Sequence, residues 1–137
     1  MDERERLAAA RVARLATVSG DGRPHLVPVV FALVGDVVWS AVDAKPKTTR
    51  SLRRLANIEA TGRASLLVDA YDEDWSALWW VRVDGPAQVL PTQDPAAVVA
   101  VDALVAKYPQ YRENRPDGPV VAVRCDTWRS WSASPDG

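Results

Sequence analysis

Thiols and imidazoles are nearly missing from this chain: it has one cysteine, Cys125, and one histidine, His25, in 137 residues. A single thiol excludes an internal disulfide, and one Cys with one His falls short of a metal-ligand cluster. Both a zinc enzyme and a Cys–His hydrolase are therefore disfavoured. A haem iron on His25 stays formally open, although a lone histidine more often has a structural role. No apolar run approaches the length of a bilayer span. Net charge is −1, which provides no global attraction for nucleic acid or an anionic membrane. Met1 to Arg6 is charged, and Ala and Val follow it rather than a signal-peptide core, so a cytoplasmic protein is expected. The chain shows no Rossmann fingerprint, Walker loop, internal repeat or low-complexity segment. Nothing in it spells a catalytic dyad or triad, and Asp72, Glu73 and Asp74 read as a solvated acidic run.

Apolar residues make up 47% of the chain, enough for the core of one domain spanning 1–137, with a loose tail from about residue 132. A short helix is expected over residues 2–10, capped by Asp2. Val12–Ser19 reads as a strand, Gly20-Asp21-Gly22 as a turn, and Arg23–Val34 as one long strand apolar on both faces. Pro24 and Pro28 mark this strand as an edge, a bulge or a place where a ligand meets the backbone. Gly35-Asp36 turns the chain into Val37–Val42, completing a β-meander. A helix over Thr48–Asn57 is expected to turn Leu52, Leu55 and Ala56 inward. Ala64–Ala70 and Leu78–Leu90 read as strands separated by the acidic loop Tyr71–Asp74, with a bulge at Gly85-Pro86. Asp94–Lys107 is a second helix, with Asp94 as N-cap and Pro95 at N1. After a polar connection, Pro119–Cys125 is the sixth strand. Short strands, turn signals and few helices favour a mainly β barrel over a doubly wound sheet.

Two features carry chemistry. Basic residues are nearly all Arg; of the three lysines, Lys45 and Lys47 stand within three positions of each other. They lie between a strand and the start of a helix, with Arg50 and the hydroxyls of Ser40, Thr48 and Thr49. A helix N-terminus presents free N–H groups and a positive dipole end, and basic residues there oppose the dipole unless an anion sits between them. The pattern suits a phosphate ester; the bland alternative is a solvated loop with Thr48 as a simple cap. The second feature is six tryptophans. Trp79 and Trp80 are adjacent in a strand and so face opposite sides, one toward the core and the other toward a ligand, a partner or solvent. With no protein nucleophile in sight, chemistry carried by a bound coenzyme fits the residues best.

The stretch Arg11–Val42, the Lys-Pro-Lys-Thr loop with Leu52–Asn57, Ala64–Asp69 and Trp80–Gly85 together resemble the flavin/deazaflavin oxidoreductase superfamily. Its members include the pyridoxamine-phosphate-oxidase-like split β-barrels, and the resemblance is nearest to the actinobacterial branch that uses coenzyme F420, a deazaflavin. It covers nearly the whole chain. It implies a six-stranded split β-barrel of the FMN-binding type, a homodimer with coenzyme sites at the interface, and hydride transfer between reduced F420 and an unsaturated small-molecule acceptor. By the same resemblance Lys45, Lys47 and Thr48 grip the coenzyme phosphate, with Arg50 alongside and Ser40 and Ala41 just before. Pro28, Val29 and Val30 lie along the ring, and Trp128 reaches the partner's site. Trp80 stands near the ring, where flavin-binding relatives often have a polar residue, a departure that weakens a simple assignment of FMN, the alternative coenzyme. The tail lacks the Arg–His pattern of vitamin B6 oxidation. A binding protein for flavin, deazaflavin or haem without turnover is the third reading.

Overall fold

The computed structural model describes residues 1–42 and 53–134. Helix α1 (Glu3–Ala9) starts with a capping box: Asp2 accepts from the Glu5 N–H, and the Glu5 carboxylate accepts from the Asp2 N–H. Strands β1 (Ala13–Val18), β2 (Pro24–Val29), β3 (Ala32–Val34) and β4 (Val37–Ala41) follow, then α2 (Arg53–Thr61), β5 (Arg63–Ala70), a 3-10 turn (Trp75–Ala77) and β6 (Trp79–Leu90). Helices α3 (Pro95–Lys107) and α4 (Gln110–Glu113) lead to β7 (Val120–Arg124) and β8 (Thr127–Ser132). Every strand pairing is antiparallel. The sheet order is β2-β1-β5-β6-β7-β4-β3, with β8 added on β6.

The architecture is mainly β, as the residue pattern predicts, but the described residues form eight strands where six were expected. The first difference is at Val30-Phe31. The run Arg23–Val34 is not one strand; it breaks there, so β2 pairs with β1 while β3 pairs with β4 at the far end of the sheet. The expected three-strand meander is therefore two separate hairpins. The physical reason is Tyr108 at the end of α3. Its hydroxyl accepts from the buried Phe31 N–H at 3.1 Å and lies 3.0 Å from the carbonyl oxygens of both Phe31 and Arg11. A side chain thus satisfies backbone groups that a ladder would otherwise pair.

The second difference is at Gly85-Pro86. The residues form no bulge: β6 runs unbroken and pairs with β5 through Arg63↔Pro86. What changes there is the partner on the other edge of β6. Its first half pairs with β8 and its second half with β7. The chain turns the corner between them at Cys125-Asp126, so close to β6 that a Cβ on Gly85 would sit 1.7 Å from the Arg124 carbonyl oxygen. Strand β8, which the residue pattern did not mark as a strand, ends where the loose tail was expected to begin, at about residue 132.

Two apolar clusters result. The main core lies inside the curl of the sheet, built from Leu15, Leu66, Val68, Val81, Val83, Val121 and Val123, and sealed by Leu7 of α1 and Leu55 and Ile58 of α2. Helix α2 runs past Asn57 to Thr61, and Ala56 is exposed rather than inward. Asn57 faces in instead, donating from Nδ2 to Thr17 Oγ1 at 3.1 Å. Gly62, at φ +70°, ends the helix in the left-handed region. The second cluster lies on the outer side. There α3 lays Ala97, Ala100, Val101 and Leu104 over Ala32, Trp39, Ala41, Val120 and Ala122.

Candidate functional site

Helix α3 covers only the β3–β4–β7 end of the outer surface. Strand register defines what lies on the uncovered part. Pro24, Leu26 and Pro28 of β2 stand beside Val18, Ala16 and Arg14 of β1. Arg14 and Ala16 stand beside Leu67 and Ser65 of β5. These continue into Arg82 and Asp84 of β6, with Asp69 beside Trp80, and then into Arg129, Thr127 and Trp131 of β8. The alternate residues Val81 and Val83 are fully buried, which confirms that this set faces away from the core.

The two adjacent tryptophans divide as expected from strand geometry. Trp79 packs against the core beneath the Arg6 guanidinium, 4.8 Å from its ring centre. Trp80 faces out, directly opposite Trp131, with the Arg82 guanidinium 6.0 Å from its ring centre. Trp128 packs against the core, under Arg4 at 6.0 Å. Trp80 and Trp128 therefore lie on opposite faces of the sheet.

The other candidates are also distributed. Pro28 is exposed on the outer face, Val29 is buried in the core, and Val30 packs against the α3 cluster. Ser40 and Ala41 are both buried at the end of β4, where Ser40 stands opposite Val121 and Ala41 opposite Val120. Lys45, Lys47, Thr48 and Arg50, the expected phosphate-gripping set, lie outside the described residues. Strand β4 leads the chain directly into them.

His25 is half-buried in β2 opposite Thr17, and its buried Nδ1 has no hydrogen-bond partner among the described residues. Among the described residues no group of three His, Cys, Asp or Glu side chains could hold a metal ion. Cys125 is buried, and desolvation, reinforced by the Asp36 carboxylate, pushes its thiol up to about 11. It is a protonated, inert thiol at neutral pH. In the acidic loop Asp74 caps the 3-10 turn, and the Ser76 hydroxyl and N–H hold its carboxyl below the usual range.

Sequence reading missed two groups that the fold brings out. One is the cluster at the end of α3. The Lys107 ammonium lies 4.0 Å from the Phe31 ring centre and 5.3 Å from that of Tyr108, with no hydrogen-bond partner among the described residues. Desolvation, then the nearby Arg11 charge, lowers its pKa to about 8. The other is a mostly apolar groove of about 420 Å³ where the edge of α3 meets the sheet, lined by Trp39, Ala87, Leu90 and Ala96 with Gln88 and Arg124 among them. Both assemble residues far apart in the chain, so no local pattern signals them.

A curled antiparallel sheet with its helices confined to the ends and one outer flank defines a split β-barrel. The chain belongs to the pyridoxamine 5′-phosphate oxidase family, whose model matches residues 2–132. Among solved structures, a conserved hypothetical protein from Mycobacterium tuberculosis, Rv2991, is 23% identical at a TM-score of 0.74, over 97% of this chain and 86% of that one. HutZ, the haem storage protein of Vibrio cholerae, is 13% identical at a TM-score of 0.72, over 95% and 88%. A FAD-binding protein from Mesorhizobium loti is 20% identical at 0.69, over 93% and 87%. These likenesses establish the shared fold. No curated protein matches the sequence. Among the described residues no helix is long and apolar enough to cross a membrane.

Proposed function

We propose that this chain is a homodimeric oxidoreductase that binds coenzyme F420 and transfers a hydride between the reduced deazaflavin and an unsaturated organic acceptor. The observation that carries the reading is the bare outer face. Pro28 and Trp80, two residues of the expected ring site, share a surface that the chain leaves uncovered, within a family named for an enzyme of a phosphorylated substrate. Lys45, Lys47, Thr48 and Arg50 would hold the coenzyme phosphate, and the aromatic surface of Trp80 would exclude water from its ring. The coenzyme supplies the hydride chemistry. Hydride transfer requires its reactive carbon within about 3–3.5 Å of the acceptor carbon.

The test is a tryptophan-quenching titration with F420 and FMN in parallel. Saturable quenching by F420, with FMN much weaker, is expected; the reverse preference moves the protein to FMN, the alternative coenzyme. Lys47→Ala should weaken F420 binding about 10- to 150-fold, the equivalent of one charge-assisted phosphate contact, and unchanged affinity in the folded variant defeats the phosphate clamp.

A second reading, a haem-binding protein without turnover, has one observation in its favour: the buried, unpartnered Nδ1 of His25. It predicts a Soret band on haem addition that His25→Ala abolishes.

A further inference from the structure

Strand register explains the groove beside α3. One row of the outer surface reads Ala32, Trp39, Ala122 and Gln88 across β3, β4, β7 and β6. A single methyl group, that of Ala122, thus stands between an indole and a long amide side chain, and the surface dips there. On one side of this row Ala41, Val120 and Leu90 stand abreast, and α3 packs over Ala41 and Val120. On the other side Val37 stands opposite Arg124, and both line the groove. The trough of about 420 Å³ that results falls within the size range of small-molecule sites. It lies apart from the expected phosphate-gripping segment. Its lining takes Val37 and Trp39 from β4, but not Ser40 or Ala41, which lead the chain into that segment.

The polar groups of the lining define what it can hold. Arg124 is already paired: its Nε donates to Asp126 Oδ1 at 2.8 Å and its Nη2 to Oδ2 at 3.4 Å. The ion pair leaves little net charge at the rim, so the groove has no special attraction for an anion. Gln88 is exposed, and its side-chain amide has no hydrogen-bond partner among the described residues. That amide offers a carbonyl acceptor and an N–H donor side by side. A cyclic amide, whose own N–H and C=O are fixed on the same edge, is complementary to both. Trp39 adds an aromatic wall, which favours a flat ring.

We infer that this groove is a binding site for a small, uncharged, planar lactam of one or two rings, its N–H and C=O paired with the Gln88 amide and its ring seated over Ala122 against Trp39. The site is separate from the coenzyme site and stands without the coenzyme reading. Arg124, held in place by Asp126, supplies a further donor at the rim.

The experiment titrates the full-length protein with three probes and follows the Gln88 side-chain amide and the Trp39 indole N–H by NMR. Carbostyril is a two-ring lactam. Its O-methyl ether keeps both rings but has neither the N–H nor the carbonyl, and quinaldate is a two-ring anion. Carbostyril should shift both signals saturably, with a dissociation constant at or below about 1 mM, as suits a ligand of its size. The ether and quinaldate should bind about 10-fold more weakly or worse, the equivalent of the lost hydrogen bonds. Ala122→Leu fills the trough and should abolish saturation by carbostyril. Gln88→Leu keeps an apolar wall and removes the pairing edge, so carbostyril and its ether should bind it equally. Equal affinity of the wild type for all three probes, no saturable shift with carbostyril, or unchanged carbostyril affinity in Ala122→Leu overturns the inference. If circular dichroism shows Ala122→Leu unfolded, Gln88→Leu decides, and a retained preference for carbostyril over the ether defeats the proposal. Competition with F420 checks the location: carbostyril that displaces F420 occupies the coenzyme site, which also overturns it.

Discussion

Two residues show how tightly the fold constrains single positions. Gly85 is required for contact rather than for a turn. A methyl group there would fall 1.7 Å from the Arg124 carbonyl oxygen and 2.9 Å from its carbon, both rigid backbone atoms. Gly85→Ala must push β7 off β6, and a loss of about 3 kcal/mol is expected in urea unfolding, the upper end for overpacking. Lys107 is the opposite case, a residue whose replacement should help. Its folded pKa, about 8, lies below the ordinary 10.5. The folded state therefore gives up this proton first, the unfolded chain holds more protons between these values, and stability rises with pH across that window. Below pH 8 the full penalty stands. With discounts for the half-exposed stem and for the attraction of the Phe31 ring, Lys107→Met should stabilise by about 1–2 kcal/mol at pH 7. The gain should shrink from pH 8 upward and vanish above 10.5, as thermal melts of both proteins across that range would show.

At the scale of elements, the break between β2 and β3 organises the molecule. It allows one continuous apolar run to serve both ends of the sheet, and Tyr108 holds it open. Tyr108→Phe removes only an oxygen, but that oxygen is the acceptor for the buried Phe31 N–H. Leaving that donor unmet should cost about 1–3 kcal/mol, and amide exchange at Phe31 should speed up more than exchange in β5. Equal protection at both sites would show that the break does not depend on the hydroxyl. Elements with local signals were legible. Asp94 caps α3 by accepting from the Ala96 N–H at 2.9 Å, and Pro95 begins the helix, both as read from residue type. Strand β8 was not legible, because Thr127–Ser132 has little apolar alternation and exists through its ladder with β6.

For the whole molecule, the coenzyme reading makes a linkage prediction. A ligand that binds only the folded state at 100 times its dissociation constant stabilises by about 2.7 kcal/mol. F420 should raise the melting temperature of the wild type, and the same F420 concentration should do so much less for Lys47→Ala. Equal shifts in both proteins would place the coenzyme away from that loop.

Some of this protein is settled by residue order alone. Alternation makes the strands, caps and glycines set helix ends, and one His with one Cys limits the metal chemistry. The opposite orientations of Trp79 and Trp80 follow from a period of two. Each depends on neighbours within a few positions. Which tryptophan faces inward, where β6 changes partners, and the alignment of Arg14, Arg82 and Arg129 were decided only by tertiary structure. Those depend on strand register between segments as far apart as Arg14 and Arg129. The core fixes that register, because a one-residue slip would expose Val81 and Val83 and bury the arginines.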